Sequence, residues 1–273
     1  MQIAITTGSL SENTLEALDK AQELGFTAVE VSLQPSEFGY GFDRKPNLAF
    51  YQRLAADVQA RGLQVVSVHS PPLAGHQVWS GRIRGDILVT AARVGGYLGA
   101  RCLVVHPDHI FTSAEDLERY FQERTAAPVV IGFDEAWAQL VNRRMALAVE
   151  NIQHWRTTPG LNQVDRMVTV TTDLAVHSVL NMTPGRPGPN LKQWVDRLGT
   201  RIVLLRWPDL LNGREQPPSL LAESAGWAPL LQQTSTQAWV IEPDPAASPA
   251  QIVESRMALE ELWARSRETA TRP

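Results

Sequence analysis

Met145–Ile152 reads MALAVENI, and this stretch decides the fold class. Five apolar residues run without interruption before Glu150 and Asn151. A run of this length is typical of a strand covered on both faces, as in a parallel sheet between layers of helices. Glutamate is rarely buried without a partner, so we expect Glu150 at the carboxyl end of the strand, facing an open cavity. The alternative is a strand that ends in solvent at Glu150.

Seven further apolar segments of similar length occur along the chain, at 2–6, 26–33, 63–70, 102–106, 167–172, 202–205 and 238–241. Helical patterns lie between or after them, at 15–24, 48–60, 83–98, 113–124, 134–143, 191–198, 220–232 and 250–267. This alternation indicates parallel βαβ units. No linker or composition change divides the chain. We therefore predict one domain over 1–273, a single (β/α)8 TIM barrel with eight parallel strands, in preference to an open doubly wound sheet.

Composition narrows the class of protein further. A hydrophobic content of 44% over 273 residues is enough for one large barrel core. The net charge of −4 and the lack of a basic block argue against a nucleic-acid partner. The single cysteine, Cys102, excludes an intramolecular disulfide. With no signal-peptide pattern and no apolar run of roughly 20 residues, we expect a cytoplasmic protein without a membrane partner, and leave its oligomeric state open.

Ionisable side chains recur where the predicted strands end: Glu30, His69, His106, Glu150, Asp173, His177, Arg206, Asp209 and Glu242. In a barrel the carboxyl ends of all strands meet on one face. Taken singly, each residue is more simply interpreted as a hydrogen-bonded histidine or a solvated acid. Clustered carboxylates repel one another unless a cation or a proton intervenes, and imidazole with carboxylate suits a divalent metal. The recurrence on most strands therefore predicts a site at this face.

A series of short motifs follows the same order, from Met1 to about Leu262: ITTGSL, ALDKAQELGFTAVEV, VVSVHSPP, LGARCLVVHP, LAVEN, TDLAVH, RWPD and VIEP. In this order and spacing they resemble the xylose isomerase-like barrels. That superfamily includes sugar-phosphate isomerases and epimerases, and also the endonuclease IV type of abasic-site nuclease. For the sugar-converting members, the resemblance implies proton transfer next to a carbonyl group, by two glutamates with a divalent cation.

The resemblance also implies roles for residues on strands five, six and eight. Glu150 and Glu242 match the strand-five and strand-eight acids, which act as the catalytic pair and as metal ligands. Asp173 matches a strand-six aspartate ligand. The histidine expected three residues later falls on Val176, so that His177 lies one position late as a ligand.

Strand seven departs from the pattern of the resemblance. Arg206 stands where relatives have a histidine ligand, and Gln216 stands where many have another histidine before a proline. Arginine stays protonated and has no lone pair for a metal. Its charge would replace the metal by pairing with the acids, or would grip an anionic group of the substrate. The resemblance as a whole implies a divalent Mn, Zn or Mg ion. Arg206 and Gln216 leave a metal-free site as the alternative.

The remaining predicted site residues would bind a small carbohydrate-like substrate. His69 and His106 would orient its hydroxyl groups, and Arg206 with Asp209 would hold its polar end. Trp207, like the loop residues Trp79 and Trp155, would stack on a sugar face, whereas the helical Trp137, Trp194 and Trp263 are expected to pack in the core.

Two other functions stay open. A barrel that has lost its metal would serve as a small-molecule binding or regulatory protein, which Arg206 and Gln216 favour. A metal-dependent abasic-site nuclease is disfavoured, because the acidic chain lacks a basic surface for a duplex. The sequence does not decide whether 111–134 forms a lid.

Overall fold

Eight parallel strands close into a ring in the computed structural model of the chain, in the order β1 to β8. The strands are β1 (Gln2–Thr6), β2 (Ala28–Ser32), β3 (Gln64–His69), β4 (Cys102–Val105), β5 (Ala146–Glu150), β6 (His177–Asn181), β7 (Ile202–Pro208) and β8 (Ala238–Glu242). Each strand pairs with the next, and β8 returns to pair with β1. The predicted eight-stranded parallel barrel is confirmed.

The structure describes residues 2–34, 47–71, 81–106, 142, 144–150, 177–181, 191–208, 232–236 and 238–270. Of these, only the backbone is described for 81–85, 149, 150, 177–181, 191–194, 208 and 266–270. The predicted helices at 113–124, 134–143 and 220–232 fall wholly or mostly outside the described residues, as does 111–134, for which the sequence leaves the role of a lid open.

Five α-helices lie in the described part of the chain: α1 (Thr14–Glu23), α2 (Leu48–Ala60), α3 (Gly81–Leu98), α4 (Leu191–Leu198) and α5 (Pro249–Ala270). The local sequence sets the bounds of α1. The Asn13 side chain accepts a hydrogen bond from the Glu16 backbone N–H at its start, and Gly25 follows its end with φ +76°, a left-handed conformation that favours glycine. No helix among the described residues is long and apolar enough to cross a membrane.

An apolar layer lies on each side of the barrel strands. The smaller layer fills the barrel interior with short side chains: Ala4, Ala28, Val66, Cys102, Val104, Ala148, Val203, Leu204, Ala238 and Val240. The larger layer lies between the strands and the helices. In that layer Trp239 contacts Trp207 and Trp263, with ring centroids 5.5 Å and 5.8 Å apart, so that α5 packs onto β8 through aromatic rings.

The sixth strand of the barrel differs from the prediction. The β-branched segment 167–172 predicted it, but the strand that pairs with both β5 and β7 is His177–Asn181. Both segments are short and mix apolar with polar residues, so that periodicity alone does not separate them. The backbone register decides: Val179 pairs with Glu150 on one side and with Leu204 on the other. Residues 167–172 themselves lie outside the described part of the chain.

Candidate active site

Charged residues from three strands meet inside the barrel near the carboxyl ends of the strands. Glu30 lies on β2, Arg206 on β7 and Glu242 at the end of β8. The Arg206 Nη2 lies 3.1 Å from Glu30 Oε1 and 3.3 Å from Glu242 Oε1. Strands β7 and β2 are not neighbours in the ring. The guanidinium therefore reaches Glu30 through the barrel interior, and we refer to this group as the Glu30–Arg206–Glu242 triad.

The members of the triad differ in their access to solvent. Glu30 is fully buried, Arg206 is 4% exposed, and the side chain of Glu242 is 37% exposed. A buried charge is tolerated only when it is paired, because removal from water costs several kcal/mol per ion. The triad thus has a deep end at Glu30 and an open end at Glu242, where a small molecule can approach.

Ser67 on β3 supports the deep end of the triad. Its Oγ donates a hydrogen bond to Glu30 Oε2 at 2.8 Å, and Ser67 is fully buried. Each oxygen of the Glu30 carboxylate therefore faces a polar partner. The charge of Glu30 also acts on Cys102 below it: burial chiefly, and the Glu30 charge in addition, raise the pKa of that thiol far above its usual range. Cys102 is therefore a protonated packing residue.

Replacing Ser67 with alanine should lower the free energy of unfolding by about 1.5 to 3 kcal/mol, because a hydrogen bond to a buried charge is lost. Ser32→Ala is the matched control, since the Ser32 Oγ forms a neutral, half-buried hydrogen bond with Thr6 Oγ1 at 3.1 Å. That control should cost about 0.5 to 1.5 kcal/mol. Urea denaturation of both variants measures the difference, and equal losses would contradict the role of Ser67.

His69 and His106 end up side by side, as expected for the ends of adjacent strands. Their ring centroids are 4.9 Å apart and the rings are nearly perpendicular. His69 is buried, and its Nδ1 lies 2.7 Å from the Ser70 carbonyl oxygen. A carbonyl only accepts, so Nδ1 carries the hydrogen and donates it. In a neutral ring Nε2 is then the acceptor, which suits contact with a hydroxyl group.

Glu150 ends β5, three strands from β8 in the ring, whereas Asn181 ends β6, the strand next to β7. The backbone of Asn181 pairs directly with that of Arg206. The side chains of Glu150 and Asn181 are not described. Asp173, Asp209 and Gln216 lie outside the described residues altogether. The roles predicted for Glu150, Asp173 and Asp209 stay predictions.

Two predicted positions are corrected by the structure. Trp207 was expected to stack on a substrate, but it is fully buried against Trp239 in the outer layer. Adjacent residues on a strand point to opposite faces, so Arg206 faces the interior and Trp207 cannot. His177 was expected after the sixth strand as a metal ligand, whereas it is the first residue of β6 and its backbone pairs with Ala148. Asp173 precedes this strand and does not follow it.

Sequence reasoning missed two residues of this face, Ser67 and Asn181. For Ser67 a signal was present, because it lies two positions before His69 and therefore on the same face of β3. For Asn181 the signal was weaker: the two apolar residues Val179 and Leu180 end at Asn181, before a segment of the sequence rich in proline and glycine. Glu30 was expected at the strand ends, but not as the partner of Arg206.

The described residues do not fit a divalent metal between β7 and β8. Arg206 lacks a lone pair and carries a positive charge that repels a cation. Its Nη2 already contacts Glu242 Oε1, one of the acids that the resemblance implies as a ligand. Within the described part of the chain, no three His, Cys, Asp or Glu side chains are grouped so that they could hold a metal ion.

This closed parallel ring, with ionisable side chains near its carboxyl end, defines a TIM-barrel protein. Solved structures of a sugar phosphate isomerase/epimerase from Parabacteroides distasonis, of an L-ribulose 3-epimerase and of a family 2 AP endonuclease have the same fold. No protein-family model matches the sequence, and no curated protein is significantly similar to it.

Three solved structures illustrate the likeness. An L-ribulose 3-epimerase superposes with a TM-score of 0.69 at 12% identity, covering 100% of this chain and 99% of its own. The IolI protein with a binding zinc atom has a TM-score of 0.66 at 11% identity, covering 97% and 99%. A family 2 AP endonuclease from Brucella melitensis has a TM-score of 0.62 at 14% identity, covering 94% and 98%. At these identities the likeness establishes the fold, and the site must carry the function.

Proposed function

We propose that this chain is a sugar isomerase- or epimerase-like enzyme, which transfers a proton next to the carbonyl group of a small hydroxylated substrate. The observation that supports it best is the position of Glu242. This carboxylate lies at the open end of the triad, 37% exposed, and is oriented by Arg206 at 3.3 Å. A half-exposed acid held in place at the carboxyl end of a barrel strand is what a general acid or base requires.

Glu150 would act as the second member of the catalytic pair. It ends β5, three strands from β8 in a ring of eight, so that the two strand ends lie on nearly opposite sides of the barrel. One carboxylate would remove the proton beside the carbonyl group, and the other would return it to the same or the neighbouring carbon. Return to the same carbon inverts a stereocentre, whereas return to the neighbour moves the carbonyl group.

The positive charge of Arg206 would stabilise the negative charge that develops on the carbonyl oxygen. Such a fixed charge acts strongly because the interior around it is apolar and has a low effective dielectric constant. His69 and His106 would contact the hydroxyl groups of the substrate. The L-ribulose 3-epimerase with this fold supports a ketose as the substrate class. The proposal needs no step through a metal, for which the residues around β7 do not fit.

Incubation in D2O with a panel of ketopentoses and ketohexoses tests this function. For at least one sugar we expect enzyme-dependent exchange of the hydrogen beside the carbonyl group, detected by mass spectrometry and proton NMR, together with an epimer or an isomer. Exchange is the decisive measurement because proton removal shows it even when the product forms slowly. Binding of a sugar by thermal shift without any exchange would overturn the enzyme proposal.

That last outcome would favour the second candidate, a binding or regulatory barrel. The observation in its favour is the pairing of Glu242 with Arg206, since an ion-paired carboxylate accepts a proton less readily. A nuclease is less well supported, although one barrel of this fold is described as an AP endonuclease. The chain's net charge of −4 provides no attraction for a phosphate backbone.

A further inference from the structure

We propose that the guanidinium of Arg206 occupies the place of the divalent cation that the resemblance implies, so that this barrel mouth binds no divalent metal between β7 and β8. The inference rests on the geometry of the triad and on the register of β6 and β7. It does not depend on whether the chain is an enzyme, because the presence of a metal is measured without turnover.

Arg206 bridges two acids on different strands. A single nitrogen, Nη2, lies within 3.3 Å of carboxylate oxygens from two strands that are separated in the ring by β1. A metal ion in a barrel mouth has this same task, because it holds acids from different strands together and offsets their repulsion. Arg206 fulfils the task from position 206, where the resemblance places a histidine ligand.

The end of β6 carries a neutral residue beside Arg206. The resemblance implies an aspartate ligand on the sixth strand, but the residue that ends β6, and whose backbone pairs with Arg206, is Asn181. A change from a divalent ion to one guanidinium removes one positive charge from the site. A neutral residue at the end of β6 contributes one negative charge fewer than an aspartate would. The smaller positive charge of the guanidinium and the neutral Asn181 therefore match, and this part of the site is balanced without a divalent ion.

The buried contacts of Glu30 hold Arg206 in this position. Glu30 is fully buried, holds Arg206 at 3.1 Å and is itself held by Ser67 at 2.8 Å. Moving the guanidinium aside for a metal would leave the charge of Glu30 buried without its partner, which is strongly unfavourable. A metal ion would therefore have to displace an ion pair that the barrel interior stabilises.

The test restores the metal site and compares it with the natural one. The restoring variant is Arg206→His with Asn181→Asp, and it also carries Glu30→Gln so that no buried charge is left unpaired. Glu30→Gln with Arg206→Met and Asn181→Asp is the matched control, since it carries the same charges and offers no ligand on β7. Circular dichroism verifies that each protein is folded. Each protein is first treated with EDTA and passed through gel filtration. It is then incubated with MnCl2, ZnCl2 or CoCl2.

For the natural chain and the control we expect less than about 0.1 metal ion per chain by elemental analysis, the background of a site with no ligand set. We expect no change in melting temperature with any of the three ions. The restoring variant should bind about one ion per chain. Its melting temperature should rise by about 5 to 10 °C at a metal concentration 100 times the dissociation constant. With Co2+ it should also gain visible absorption.

Two results would overturn the proposal. One is a natural chain that binds nearly one metal ion per chain, while the Glu242→Gln variant, which keeps Arg206, binds none and is less stable to heat. The other is a folded restoring variant that binds no more metal than the control, because Arg206 would then not occupy a metal position. A negative deuterium-exchange experiment changes neither result, so the proposed function and this inference fail separately.

Discussion

Arg206→Met should lower the free energy of unfolding by about 3 to 5 kcal/mol, the usual cost of removing one partner from a buried ion pair. The physical reason lies in Glu30, which is fully buried and faces Arg206 Nη2 at 3.1 Å. Methionine preserves most of the length and apolar contact of the side chain, but it leaves the carboxylate with Ser67 alone. Equilibrium denaturation in urea measures the loss, provided that the slope against urea stays unchanged.

A double-mutant cycle separates the lost pairing from lost packing. Glu30→Gln combined with Arg206→Met should recover most of the stability, because neutral replacement of both partners of a buried pair is often close to neutral. Arg53→Met on the exposed face of α2 serves as the control and should change stability by no more than about 0.5 kcal/mol. If Arg206→Met lowered the free energy of unfolding as little as this control does, the triad would not contribute to the stability of the fold.

Glu150→Gln and Glu242→Gln should each reduce the rate of hydrogen exchange beside the substrate carbonyl by about 10²- to 10⁴-fold, the usual contribution of a positioned acid or base. Glutamine keeps the shape of the side chain and cannot take up a proton. The measurement is initial-rate deuterium incorporation into whichever ketose the natural chain exchanges. Glu254→Gln, on the exposed face of α5, is the control and should leave the rate unchanged.

Stability distinguishes a catalytic role from a structural one in the same variants. Glu150→Gln should leave the melting temperature equal or higher, because it removes a negative charge from a face rich in acids. Glu242→Gln should cost no more than about 1 kcal/mol, because its side chain is 37% exposed and water screens the lost ion pair. A large fall in melting temperature together with the loss of exchange would identify these acids as parts of the fold.

The replacement of a metal by arginine would also change how the site responds to its surroundings. A metal site depends on the supply of the ion and is emptied by chelators. A guanidinium is covalently part of the chain and stays charged throughout the physiological pH range. The activity proposed here should therefore persist in EDTA, in agreement with the expected absence of metal from the natural chain.

The alternation of strands and helices, and with it the closed barrel, follows from the local pattern of apolar residues along the chain. Runs such as Met145–Val149 are apolar without interruption, as is typical of a strand that is covered on both faces. Such a pattern can be recognised in the sequence because it depends only on neighbouring residues. The same reasoning placed Glu30, His69, His106 and Glu242 at strand ends. It misplaced the sixth strand, because two short segments compete there and only pairing with β5 and β7 separates them.

Which charged side chains meet depends on how the barrel closes. Glu30 and Arg206 lie far apart along the chain and on strands that are not neighbours, so closure of the ring alone brings them within 3.1 Å. Closure of the barrel also decides which face of β7 is the inner one. Arg206 lies on the inner face, and Trp207 lies on the outer face against Trp239. The underlying reason is that strand periodicity specifies two faces, whereas the identity of the inner face and the partners across it depend on closure of the barrel.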